Sequence, residues 1–227
     1  MGYKRRNYKK RYSKKQHPWA KTAGSALSMA SKALTVAYGL KNLINVEKKF
    51  IDTSISGTAL VASPSGFVSC ISLVGQGTDL NQRIGDSIKY SSLMVEGFVT
   101  LNAATQDLIK VSIVLDRQTN ASLPLYSDIY EVGAGSGATA QRNKLSVDRF
   151  KVLKEWNLDL ETAGSTLKKF HTYIKFPTGQ DYHEKFSGTG STIASVYSNS
   201  IYIVFAGNLS TSMSAISYFT RIRYVDN

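Results

Sequence analysis

Hydrophobic and polar positions alternate along DLIKVSIVLDR (107–117), with Ile109, Val111, Ile113 and Leu115 on one face and Lys110, Ser112 and Asp116 on the other. A period of two predicts a strand. The same reading predicts strands over 46–53, 67–75, 87–102, 149–160, 167–176, 199–208 and 214–226. SIYIVFAGN (200–208) is apolar on both faces, which predicts a central strand. Only Ala103 to Gln106 separate strands 87–102 and 107–117, so these two are expected to pair as a hairpin. Residues 118–148 contain PLYSD and GAGSGA; too polar for a core and too long for a turn, they read as a surface excursion. Eight antiparallel strands without a βαβ rhythm predict an all-β fold, a sandwich or a jelly roll. The pattern leaves an immunoglobulin-like sandwich open.

Ahead of the strands the period changes. Leu27, Ala30, Leu34, Ala37, Tyr38 and Lys41 recur at spacings of three and four, and Leu40, Leu43 and Ile44 continue the apolar side. This predicts one N-terminal helix from Ser25 to Asn45, weakened at Gly39. Its narrow, Ala-rich face suits packing on copies of itself or on the body. The expected organisation is therefore an arm (1–24), a helical linker (25–45) and a β domain (46–227).

Charge separates the arm from the rest. Lys4, Arg5, Arg6, Lys9, Lys10, Arg11, Lys14, Lys15 and Lys21 fall within the first 21 residues without an acid among them. Residues 1–50 hold 13 Lys and Arg against Glu47 alone, while the other 177 hold 15 basic and 15 acidic residues, so the net +12 sits in the N-terminal quarter. A basic enzyme usually spreads its charge; a cationic arm on a neutral body separates binding from scaffold. Tyr3, Tyr8, Tyr12 and Trp19 are interleaved with the cations, which suits phosphate neutralisation combined with stacking on unpaired bases. The same residues would serve a nuclear-import signal. No apolar run precedes Pro18, so a membrane partner is not expected.

Candidate chemistry is sparse. Cys70 is the single cysteine and excludes an internal disulfide framework. His17, His171 and His183 lack metal-ligand spacing, no GxxxxGK occurs, and GAGSGA has no βαβ context, so no catalytic residue, metal or cofactor is expected. Arg83, in QGTDLNQRIG, stands between Gly77 and Gly85; it is expected to clamp a carbonyl or carboxylate of its own or a neighbouring subunit, with Gly85 allowing the turn.

Several stretches together resemble the capsid proteins of small circular single-stranded DNA viruses that encode a replication initiator (the CRESS-DNA type). They are the basic arm, the helix running into NLINVEKKFIDTS, the loop QGTDLNQRIGDSI, the strands ending in IVLDRQ, and RNKLSVDRFKVL. The similarity spans most of residues 1–175; in the last fifty only the strand pattern continues. The resemblance implies an eight-stranded jelly roll, strands B to I in two four-stranded sheets. It also implies assembly of about 60 copies into a T=1 icosahedral shell enclosing single-stranded DNA, with the arm inside. The virion, and the host nucleus during assembly, are the implied locations, with host import machinery as a further partner. The last strand belongs, in that fold, to the sheet that faces the interior, so Arg221 and Arg223 are expected to extend the genome-contacting surface, alongside Tyr8, Tyr12, Trp19 and the arm's cations. Salt bridging of the two arginines to a neighbour or to Asp226 is the competing expectation. Two other functions fit the residues alone: a cellular nucleic-acid-binding β-sandwich or chaperone with a basic tail, and a glycan-binding jelly roll.

Overall fold

The computed structural model describes residues 26–36, 48–60, 66–102, 106–132, 137–177, 182–208 and 214–226. Two compact units divide the chain, Met1–Asn45 and Val46–Asn227. In the first, helix α1 covers 26–36, and Leu27, Met29, Leu34 and Val36 are exposed along it. The remainder of the helix expected over Ser25–Asn45 lies outside the described residues.

The second unit is built from β1 (Lys48–Ala59), β2 (Phe67–Cys70), β3 (Ser87–Thr100), β4 (Gln106–Asp116), a one-turn helix α2 (Tyr126–Ile129), β5 (Tyr130–Glu131) and β6 (Gln141–Arg142). It continues through β7 (Phe150–Glu161), β8 (Leu167–Lys175), β9 (His183–Phe186), β10 (Val196–Ser198), β11 (Ser200–Gly207) and β12 (Ala215–Asp226). One sheet runs β1-β12-β3, with β8 and β9 both pairing β3 and β10 pairing β9; the other runs β2-β11-β4-β7. All these pairings are antiparallel. The partners nest: β1 with β12, β2 with β11, β3 with β8, β4 with β7. That nesting is a jelly roll's winding, whereas an immunoglobulin sandwich joins strands as ABED and CFG. The eight strands expected from the alternation occupy its places B to I in chain order.

The two sheets face each other over one core. Ile88, Tyr90, Leu93, Val95, Ile216, Tyr218 and Ile222 from the first meet Ile109, Val111, Ile113, Leu115, Ile201, Ile203 and Phe205 from the second. Phe205 is the aromatic hub, with ring centroids 5.8 Å from Phe170, 5.8 Å from Tyr218 and 6.2 Å from Phe67. Burying each such side chain contributes about 1.5–3 kcal/mol.

Three expectations need correction. The hairpin between β3 and β4 does not form: they lie in different sheets, and each turns its apolar face to the other across the sandwich instead of sharing an edge. Residues 118–148 are not merely a surface excursion. They roof the outer side of β4 and β11, where Tyr126, Ile129, Tyr130 and Ala140 form a second buried cluster with Val114, Phe150, Tyr202, Val204 and Ala206. The polar face of β4 is thereby buried and must be satisfied. Lys110 Nζ donates to Ala140 O at 2.6 Å. Tyr130 Oη donates to Ser112 Oγ at 2.6 Å. Asp116 accepts from Arg149 Nε and Nη2 at 2.9 and 2.8 Å. Finally, the stretch after Pro177, read as loop, contains β9, which is held to the sheet by buried Glu184 and Phe186.

Candidate nucleic-acid interface

Because the roof covers only one sheet, the body has two unlike outer faces. The outward side of the β1-β12-β3-β8 sheet carries no described covering from the body. Pairing register brings distant residues into rows across it. Phe50 lies beside Arg223, then Ser92, then Lys175. The next row is Asp52, Arg221, Met94 and Tyr173, and the one after is Ser54, Phe219, Glu96 and His171. Lys48 and Lys89 flank Val225, Lys169 is opposite Phe98, and Lys185 projects on the same side from β9. A body with a net charge of only +1 over 46–227 thus presents a face with seven cations (Lys48, Lys89, Lys169, Lys175, Lys185, Arg221, Arg223) against two acids (Asp52, Glu96). Exposed Phe98 and Tyr173 and half-buried Phe50 and Phe219 are interspersed among them.

Arg221 and Arg223 share this face but differ in state. Arg221 forks onto Asp52, with Nε and Nη2 each 2.7 Å from a carboxylate oxygen, and its guanidinium lies over the rings of Phe50 (4.7 Å) and Phe219 (5.8 Å). The competing expectation of salt bridging thus describes Arg221, although its partner is Asp52. Arg223 is exposed. The arm positions, Lys4 to Lys21 with Tyr8, Tyr12 and Trp19, lie outside the described residues. Lys89, Lys169, Lys175 and Lys185 were not singled out in the sequence because their strands are far apart in the chain. The signal was present in β8 alone, where Lys169, His171, Tyr173 and Lys175 recur at a period of two.

Arg83 is fully buried and works inside its own subunit. Its Nε donates to Val74 O (3.3 Å), Nη1 to Gly85 O (2.5 Å) and Nη2 to Gly188 O, while its plane lies 4.0 Å from the centroid of Phe186. The guanidinium joins the β2–β3 connection to the β9–β10 connection, and Gly85 supplies a carbonyl to it. Nearby, Ser72 Oγ donates to Glu184 Oε1 at 2.8 Å. Burial pushes the Glu184 carboxyl well above the ordinary carboxylate range; hydrogen bonds from Tyr90 and Ser72 and the charge of Arg83 offset only part of this. Burial likewise pushes the Cys70 thiol up to about 12, so it is an inert core residue.

Two solved virus structures are similar over most of the chain, at low identity. One, desmodium yellow mottle tymovirus, is 5% identical, covers 79% of this chain and 87% of its own, and has a TM-score of 0.38. The other, a cryo-EM structure of broad bean stain virus, is 11% identical, covers 78% and 86%, and has a TM-score of 0.35. No curated protein matches the chain. The model of the geminivirus coat protein/nuclear export factor BR1 family matches residues 1–227 from end to end, and the chain therefore belongs to that family.

Proposed function

We propose that this coat protein, a structural and non-enzymatic component of the virion that assembles with copies of itself, closes into a T=1 icosahedral shell of about 60 copies around single-stranded DNA. The arm supplies most of the attraction. About 60 arms at +9 bring roughly 540 positive charges to the enclosed genome, and releasing condensed counterions makes the association strong, salt-dependent and indifferent to sequence. The body contributes the bare face of the β1-β12-β3-β8 sheet, with Arg223 and the lysines meeting phosphate and Arg221 held flat by Asp52. Arg83 and Gly85 serve the subunit's own end loops. The basic stretch before Lys21 doubles as a signal for the host import machinery, which places assembly in the nucleus.

The observation that carries this reading is the asymmetry of the body: one sheet is roofed by residues 118–148, and the other is open, cationic and studded with aromatic rings. A glycan-binding jelly roll has no need of that charge. The test is electron microscopy and nuclease protection on purified full-length protein beside a variant lacking residues 2–21. Uniform small shells are expected from both, with protected DNA retained by the full chain and largely lost from the variant. Shells equally full after the deletion would overturn the role of the arm, and small discrete oligomers from the full chain would overturn the shell.

A further inference from the structure

The open sheet is not flat. A hollow of about 520 Å³ lies between β1, β3, β8 and β12. In β1 the register with β12 slips between Ile55 and Thr58, where Gly57 takes φ +63° and its N–H donates to Ser217 Oγ at 2.9 Å. This bulge lifts the strand away from its neighbour. In β3, Gly97 falls on the core side with Val95 and Val99, where the ring of Phe170 fills the space over it. A Cβ there would lie 2.4 Å from Phe170 Cζ and 2.7 Å from Ser217 O. Gly97, Phe170 and Tyr218, whose side of the sheet faces the core, form its floor, and Phe98 and Phe219 stand at its rim.

Its chemistry is specific in kind. The rings and aliphatic parts give an apolar slot too small for a helix or a strand and wide enough for one planar heterocycle. Glu96, His171 and Ser217 line it with hydrogen-bonding groups. Lys169 stands at the edge, where a phosphate attached to such a ring would lie, and the cations of the neighbouring rows continue away from it. Glu96 Oε1 and His171 Nε2 lie 3.8 Å apart in the slot.

We infer that this hollow takes one unpaired nucleobase of the enclosed strand, stacked against Phe98 and Phe219, with Lys169 on its phosphate. The inference rests on the packaging reading and deepens it: the arm's cations bind any polyanion and its aromatic residues stack without a pocket, whereas the slot holds one base that is free of a duplex. A stacked base is recognised by its π-face, so the slot discriminates single strands from duplexes while tolerating sequence.

The test uses full-length protein with the arm intact and compares oligothymidylate, an abasic oligomer of equal length and a duplex of equal length. Wild type is expected to bind the base-bearing strand about tenfold more tightly than the abasic one. The Phe98→Ala/Phe219→Ala variant should lower that ratio severalfold, the remainder being stacking on the arm, while binding the abasic oligomer as before. The Phe98→Tyr/Phe219→Tyr variant should keep it, which separates loss of stacking from general damage. An unchanged ratio in the alanine variant would overturn the slot, yet leave packaging by the arm standing. Should the alanine variant not fold, photocrosslinking of 5-iododeoxyuridine-substituted packaged DNA in wild-type particles decides. Crosslinks to peptides bearing Phe98, His171 or Phe219 support the slot, and crosslinks confined to other peptides overturn it.

Discussion

Arg83 shows what a single buried side chain contributes when its charge is shared among carbonyls. Three nitrogens of one planar group meet Val74, Gly85 and Gly188, and Asp86 Oδ1 lies 3.6 Å away as the nearest carboxylate. A lysine keeps the charge but cannot reach three directions or stack on Phe186. Arg83→Lys is therefore expected to cost about 3 kcal/mol and to lower the melting temperature by about 6–12 °C. A shift within experimental error in differential scanning fluorimetry would show the clamp to be dispensable. Glu184 makes the converse case, a carboxyl held without its charge. Its folded pKa lies above the ordinary 4.5 because burial disfavours the anion. Between the unfolded and folded values the native state keeps a proton that the unfolded chain releases, so stability falls as pH rises through that window. The contribution is fully present below the unfolded pKa and is lost toward the folded one. Glu184→Gln keeps the acceptor for Ser72 and cannot ionise, so its stability should change less between about pH 5 and about pH 7 than that of wild type. Parallel pH profiles in denaturant titrations would refute the assignment.

At the scale of elements, the roof over β4 and β11 is the feature that joins sequence to fold least directly. The strands themselves were legible, because half-buried strands alternate and β11, apolar on both sides, had to be central. The roof was not, because its apolar residues are few and do not repeat. Tyr126, Ile129 and Tyr130 sit at helical spacing, but α2 is a single turn, and polar residues around them hide the pattern. The buried polar groups of β4 misled in the same way: Lys110, Ser112 and Asp116 read as a solvent face and are instead bonded to the roof. Likewise β9 is only four residues, flanked by polar loops, and its place on the edge of β3 is a tertiary fact. For the cationic sheet face, Arg221 and Arg223 were visible as neighbours in one strand, whereas the lysines that complete it come from β1, β3, β8 and β9. Only register could assemble them. The roof also invites a test. Ile129→Ala removes a fully packed side chain from the second cluster and should cost about 2–4 kcal/mol. Since that cluster is separate from the inter-sheet core, hydrogen exchange should quicken across the described parts of 118–148 and remain slow in β3 and β12. A uniform loss of protection would mean that the roof and the sandwich unfold as one.

At the scale of the whole molecule, charge is arranged so that assembly and the proposed packaging do not oppose each other. A body with nearly equal numbers of acids and bases can tile without the self-repulsion that a uniformly basic subunit would suffer, while the excess is confined to an arm and one sheet face. This division has a quantitative consequence, because each phosphate contact made by a cation contributes about 0.7 to the slope of log affinity against log salt for single strands. The first 21 residues hold nine cations beyond position 2. If all nine meet phosphate, deleting residues 2–21 should reduce the slope by about six. Replacing Arg223 and Lys175 by alanine removes two contacts and should reduce it by about 1.4. Arg221→Ala should change it by less than either single exposed cation, since Asp52 already neutralises that guanidinium at 2.7 Å. Oligonucleotide titrations across a salt series measure all three. A slope that falls as much for Arg221→Ala as for Arg223→Ala would show that Asp52 releases its partner to the DNA. A slope indifferent to the arm would place the binding energy in the sheet face instead.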